Sequence, residues 1–370
     1  MDSSFIYMSC QIGAESALKR EIARISGFRP AFSRPGFLTF KTDRTNEIDP
    51  QELADFHNNL VFARSIGLSL GKIEAPDLET VAEKVFAGYI DGPLFKEKRH
   101  LRFHVWQRDA YQPGEHGFEP GMGESARKLH GRLVAHILER AASHIDQPNR
   151  WACGIDLPEL PAQLSDTIVD CIGIDRDTWW IGTRMPCRLD AMSQWPGGIT
   201  PLLLPFDAVS RAWLKFEEGL RWSAFPIGIG TRCLDIGSAP GGSSQALLAR
   251  GAEVIGLDPG EMAPAVLNHP NFTHLRGRTG KVKVRAFRKV RWILADMNVA
   301  PQYTLRALED LVLHPEMKIR GLLFTLKLFH WNLAEALPEY LKTIRHWGFH
   351  SIRAKQLAFN KQEVMVAAAK

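Results

Sequence analysis

The sequence predicts an α/β protein whose second half is a mostly parallel sheet of seven strands with an antiparallel last strand, preceded by an α+β half. Three observations carry this. Residues 201–370 alternate apolar strands with amphipathic helices, the rhythm of parallel strands joined by crossovers. The last two strands lie close enough in sequence to pair as an antiparallel hairpin. Residues 1–187 instead mix strands and helices without a glycine-rich ligand turn.

In the first half, FIYMSC (5–10) and GFLTFK (36–41) read as strands. Between them, AESALKREIARISG places Leu18, Ile22 and Ile25 on one helical face and stops at Gly27. HLRFHVW (100–106) reads as a strand, and residues 123–145 as an amphipathic helix with Leu129, Leu133, Ile137 and Leu138 inward. TIVDCIGI and TWWIGTR flank a short turn at Asp175, Arg176 and Asp177 and predict a hairpin. Pro and Gly then break the periodicity in SQWPGGITPLLLP, a linker.

In the second half, strands are expected at 231–236, 253–258, 271–275, 291–297 and 321–326, with helices at 302–313 and 332–347 and final strands at 349–355 and 363–369. The 370 residues, 45% hydrophobic and 24% charged, suit two or three soluble domains. No apolar run is long enough to span a membrane, and the first residues lack a secretory signal. Five cysteines (10, 153, 171, 187 and 233) without close pairs suggest neither disulfides nor zinc, so a reducing cytoplasm and a metal-free protein are expected. The net charge of +5 is uneven: residues 201–370 carry 23 Lys+Arg against 14 Asp+Glu. The run 276–291 holds eight cations and no acid, which suits an anionic partner such as RNA, although a solvated loop explains it equally well.

The most informative stretch is CLDIGSAPGGSSQALLARG (233–251), a short strand, a turn rich in glycine, and a helix. The residues after Gly241 and Gly242 are Ser243 and Ser244, without the lysine of a P-loop, and the glycine spacing is wrong for a dinucleotide fold. The remaining reading is S-adenosylmethionine. Asp235 closes the first strand, the turn Gly237, Ser238, Ala239, Pro240, Gly241 and Gly242 offers bare backbone to the methionine part, and Asp258 ends the second strand where it can accept the ribose hydroxyls.

DIGSAPGGSSQ resembles the D-x-G-x-x-P-G-G motif of the FtsJ-like RNA 2′-O-ribose methyltransferases. The resemblance implies a Lys-Asp-Lys-Glu active site, matched in order by Lys215 in SRAWLKFEEGL, Asp296 in ILADM, Lys327 in LLFTLKLF and Glu363 in NKQEVMVA. It is specific over residues 206–370. Before them, ESALKREIA and NLVFARSIG resemble family members that join an N-terminal THUMP-bearing RNA-binding half to the methyltransferase. The resemblance implies an N-terminal α+β, ferredoxin-like segment (1–70), a THUMP-like domain (71–187), a linker (188–205) and the methyltransferase (206–370). It further implies a monomer acting on RNA, a cytidine of large-subunit (23S) ribosomal RNA, with Lys327 as base. Strand order alone puts Asp296, Lys327 and Glu363 on one sheet edge.

Two departures from the family stand out. Ser243 replaces an aromatic residue, and the acid expected after the third strand is replaced by Arg278 or Thr279, leaving the adenine contact unassigned. A cytosine-C5 methyltransferase is disfavoured because ADMNVAP and LFTLKLF lack a nucleophilic cysteine. A small-molecule methyltransferase, a transfer-RNA methyltransferase and a non-catalytic ribosome-assembly factor are the alternatives.

Overall fold

A computed structural model describes residues 5–43, 49–90, 100–143 and 160–370. The chain divides into two compact units, Met1–Pro201 and Leu202–Lys370.

The first unit opens with β1 (Phe5–Ser9), α1 (Glu15–Ala23), β2 (Phe28–Arg34), β3 (Phe37–Thr42), α2 (Pro50–Asn58) and β4 (Ser65–Glu74). This βαββαβ order, with strands arranged β2-β3-β1-β4 and every neighbour antiparallel, is the ferredoxin-like arrangement. The sheet continues past β4 through α3 (Leu78–Val85), β5 (Leu101–Gln107), α4 (Glu124–Ser143), β6 (Thr167–Asp175) and β7 (Thr178–Arg184), in the order β4-β7-β6-β5. The expected hairpin is the antiparallel pair β6–β7, and α4 is the crossover that lets β5 and β6 run parallel.

Two expected core positions differ. On α4, Ala126, Leu129, Leu133 and Ile137 line the buried stripe, whereas Leu138 is half exposed because the next residue turns about 100° away. Ile25 is only half-buried, since α1 ends at Ala23 and Arg24 caps it before the turn at Gly27. Cys153 and the last residues of the helix expected through 145 lie outside the described residues.

A buried polar cluster ties this sheet together. Asp170 accepts from Tyr7 Oη (2.6 Å), Trp106 Nε1 (2.8 Å) and Arg184 Nε (2.8 Å). Arg184 also donates to the carbonyls of Ser193 and Trp195, so the segment after β7 packs into this unit, with Ser193, Gly197 and Thr200 buried. The open stretch follows it, with Leu203 and Phe206 exposed.

The second unit contains α5 (Ala212–Ser223), β8 (Arg232–Ile236), α6 (Gly242–Leu248), β9 (Glu253–Asp258), α7 (Pro264–Leu267), β10 (Phe272–Arg276), β11 (Trp292–Ala295), α8 (Pro301–Val312), β12 (Gly321–Lys327), α9 (Leu337–His346), β13 (Ser351–Lys355) and β14 (Glu363–Ala369). The sheet order is β10-β9-β8-β11-β12-β14-β13, parallel except that β14 runs antiparallel between β12 and β13. This is the doubly wound, Rossmann-like sheet with a reversed last strand that the sequence predicts. One helix differs: the span 332–347 is a 3₁₀ turn (Trp331–Ala336) followed by α9. Pro338 lacks an N–H and crowds the carbonyl four residues back, so an α-helix cannot run through it and starts again at Leu337. Among the described residues, no helix is long and apolar enough to cross a membrane.

Candidate active site

The parallel strands β8, β9, β11 and β12 end on one edge, where a doubly wound sheet receives its ligand. Asp296 follows β11 directly and is pinned by its N–H to the Ile236 carbonyl (3.0 Å). Lys327 ends β12 and Glu363 begins β14, and the register sets them opposite each other. From α5, Lys215 reaches the same place.

The four side chains close into a ring of alternating charge. Lys215 Nζ contacts Asp296 Oδ2 and lies 3.2 Å from Glu363 Oε1. Lys327 Nζ lies 2.7 Å from Asp296 Oδ1 and also contacts Glu363 Oε2. All four are largely buried, the most open being Lys327 at 16%. Four buried charges survive here because each touches two of opposite sign.

Burial alone would favour the neutral form of each group. It does so for Asp296, but the Lys215 and Lys327 ammoniums outweigh it and hold the carboxyl well below the usual range. Burial also favours a neutral Lys327, yet the carboxylates of Glu363 and Asp296 prevail and raise it above the ordinary lysine range.

A cavity of about 510 Å³ opens over this ring, lined by the turn Gly237–Pro240 and Gly242 on one side and by Lys215, Asp296, Lys327 and Glu363 on the other. The glycines are required by the protein itself rather than by open space. A Cβ on Gly237 would stand 2.7 Å from the Asp296 carbonyl oxygen, and one on Gly242 would stand 2.2 Å from Ser210 Oγ. Gly237 also has φ +76°, a conformation other residues resist. The turn thus locks β8 against the end of β11, and the cavity sees its main chain.

Asp235 lies beneath the turn, fully buried and away from the cavity lining. Its Oδ2 accepts from both Ser243 Oγ and Ser244 Oγ at 2.6 Å, while Oδ1 has no partner. Burial pushes its pKa up to about 6, against the pull of the two serine bonds and with help from the Asp296 and Asp258 charges. Ser243 is thus part of the support that fixes α6 to β8. Helix α6 starts at Gly242, and these serines form its first turn. Asp258 sits beside the turn but outside the cavity lining, its oxygens accepting from Ala239 N (3.3 Å) and Gly260 N (2.6 Å). Arg278 and Thr279 are not among the residues lining this cavity.

Several supporting residues escaped the sequence reading. Thr325 Oγ1 donates to Asp296 Oδ1 (2.7 Å), and Asn360 Nδ2 donates to Glu363 Oε1 (3.3 Å). Glu218, fully buried, accepts from Ala358 N (3.0 Å) and Phe359 N (2.9 Å), so it ties the loop before Glu363 to the helix that carries Lys215. Spacing was the available signal: Thr325 is two before Lys327 on a strand, and Glu218 is three after Lys215 on a helix.

Residues 208–353 match the model of the FtsJ-like methyltransferase family. The matched residues all lie within the second unit. The chain is 32% identical over 180 residues to the ribosomal RNA large subunit methyltransferase M of Halorhodospira halophila, covering 47% of this chain and 51% of that one. It is 33% identical over 199 residues to the protein of the same name from Methylococcus capsulatus, covering 50% and 53%. The chain thus spans about half the length of the curated relatives it matches. Among solved structures, TrmN from Thermus thermophilus is similar over 99% of both chains, at 13% identity and a TM-score of 0.35. Among the described residues, no cluster of His, Cys, Asp and Glu is arranged to hold a metal.

Proposed function

We propose that this protein transfers the methyl group of S-adenosylmethionine to a ribose 2′-hydroxyl of RNA, a cytidine of large-subunit (23S) ribosomal RNA. The closed Lys215-Asp296-Lys327-Glu363 ring at the mouth of the cavity is the observation that carries this reading. The names of the curated relatives support the ribosomal target.

The cavity suits the cofactor in size and in donor set. The Gly237–Gly242 main chain would hold its methionine part and the Asp296 carboxylate its positive charge, while Asp258, at the end of β9 and outside the cavity lining, would take the ribose hydroxyls where the cofactor extends past the turn. When bound, it supplies a methyl group on a cationic sulfur. Asp235 acts from below by holding the turn.

A ribose hydroxyl is a weak acid, so a base must take its proton as the oxygen attacks. Lys327 takes that role and Lys215 helps place the hydroxyl. Lys327 must first release its own proton, and Lys215 makes this feasible: it contacts both carboxylates, so the ring keeps one cation between two anions when Lys327 is neutral. The ring oxygens of Asp296 and Glu363 orient both amines, and Thr325 and Asn360 orient the carboxylates in turn. In this reading residues 71–187 form a THUMP-like RNA-binding region that follows the ferredoxin-like segment 1–70, and the protein works as a monomer.

Mapping 2′-O-methyl positions across ribosomal RNA from cells with and without this gene tests the proposal. Loss of one methyl from a large-subunit cytidine is the expected result. Loss from a transfer RNA, or from no RNA, would refute the target.

A further inference from the structure

The eight-cation run at 276–291 lies outside the active-site cavity, and its path through the fold gives it a role. Arg276 ends β10 level with Asp258, on the edge that carries the cavity. Arg291 N–H bonds to the Arg232 carbonyl (3.0 Å) at the opposite edge. The run therefore climbs the full height of the sheet, about 17 Å for a strand the length of β9.

A crossover between parallel strands is usually an α-helix. Here Gly277 and Gly280, and valines at 282, 284 and 290 alternating with cations, disfavour one. The segment instead makes two 3₁₀ turns, Thr279–Lys281 and Val284–Ala286. Phe287 and Val290, both fully buried, pin it down, and the cations face outward.

Without a covering helix the sheet face below stays open. Ile255 and Leu275 are only half-buried and Thr273 is exposed. A cavity of about 400 Å³ remains between the segment and β9–β10, lined by Ile255 and Thr273 below and by Arg232, Arg285, Arg288 and Lys289 around it. Glu253 also lines it and pairs with Arg232 (2.7 Å). Among the described residues no carboxylate pairs with Arg285, Arg288 or Lys289, nor with Arg278, Lys281 or Lys283.

We propose that this ribbon is a second RNA contact, a track for backbone phosphates that leads away from the methyl-transfer cavity, with Arg285, Arg288 and Lys289 as its anchor. The inference rests on the RNA methyltransferase reading for the identity of the polyanion. A linear array of unpaired cations over an apolar and hydroxyl-bearing floor matches a regularly charged strand better than a compact anion. Because the contact is to phosphate, it adds affinity without choosing sequence.

The test is binding of a fluorescein-labelled single-stranded oligoribonucleotide of about 20 residues to the full chain, titrated between about 50 and 200 mM salt. Replacing Arg285, Arg288 and Lys289 together by Ala should weaken binding and flatten the log Kd against log salt slope by about 2, since each phosphate contact contributes roughly 0.7. R285K with R288K should keep the slope, and S-adenosylmethionine binding should be unchanged in both variants. An unchanged slope in the triple variant overturns the track even if the protein methylates RNA. A flattened slope in a protein that transfers no methyl supports the track while refuting the catalytic reading. Loss of poly-glutamate binding with the RNA slope intact overturns it in favour of an acidic protein partner.

Discussion

Lys327 and Glu363 stand opposite each other across the antiparallel pair β12–β14, and their side chains meet in an ion pair at the edge of the sheet. The reversal of the last strand produces this contact, since a parallel strand would start at the far edge. Asp296 and Lys215 complete a ring in which no charge lacks an opposite neighbour.

The ring has a consequence for pH. Glu363 and Asp296 raise Lys327 above the ordinary lysine range, so in the free protein near neutral pH it is almost wholly protonated. If its neutral form is the base, log kcat/KM for methyl transfer should rise with unit slope from pH 7 through about 9. A steady-state pH profile checks this, and a plateau beginning at pH 7 would argue for another base.

Glu218 should act as a positioning residue. Its carboxylate satisfies the N–H groups of Ala358 and Phe359, next to Asn360 and Glu363. Glu218→Ala strands two buried donors, at about 1–3 kcal/mol each, and frees the loop that aims Glu363. The expected outcome is a lower Tm and a kcat reduced at least tenfold, with S-adenosylmethionine affinity within a few-fold of wild type by calorimetry. An unaltered kcat would show that α5 alone holds the ring.

Asp235 offers a stability test with a definite sign. Its folded pKa of about 6 lies above the ~3.9 of an unfolded Asp, so the folded state binds more protons between those values. Stability therefore falls as pH rises from about 4 to 6 and then levels. Asp235→Asn removes this loss, so its Tm relative to wild type should climb across that window and stay constant above it. Thermal melts at pH 4, 5, 6 and 8 measure the difference, and a gap independent of pH would contradict the buried, half-satisfied carboxylate.

The fit of the turn against β11 gives another expectation. Gly237→Ala puts a methyl 2.7 Å from the Asp296 carbonyl oxygen at a positive φ. Overpacking of this kind costs about 1–3 kcal/mol, with backbone strain in addition. Because the displaced carbonyl belongs to Asp296, methyl transfer should fall more steeply than stability. A melt combined with a turnover assay separates the two, and retained turnover at lowered Tm would mean that the turn moves without the ring.

Much of this site was legible because its determinants are local or periodic. Strand ends in a doubly wound sheet fix where Asp296 and Lys327 must lie, and β9 and β14 run over the spans their apolar patterns predict. The first half was less readable. Strand β2 (FRPAFSR) carries Pro30, is almost entirely solvent-facing and contains a register shift, so it shows no alternation. Strand β4 is interrupted by Gly67 and Gly71, which mask it as a loop. The direction of the Lys327 pKa was not legible for a different reason: it is a balance between burial and two carboxylates whose distances only the fold supplies. Asp235 likewise reads as a ligand-facing acid until the two serines are seen to turn it inward.

The most direct test is methyl transfer from labelled S-adenosylmethionine to ribosomal RNA by the wild-type protein and by Lys327→Ala, with cofactor affinity measured alongside. Wild-type protein should yield alkali-resistant ribose methylation, and the variant should lose it by at least a thousand-fold in rate while binding the cofactor within a few-fold of wild type. Turnover retained in Lys327→Ala would contradict the claim that the four-charge ring performs the reaction.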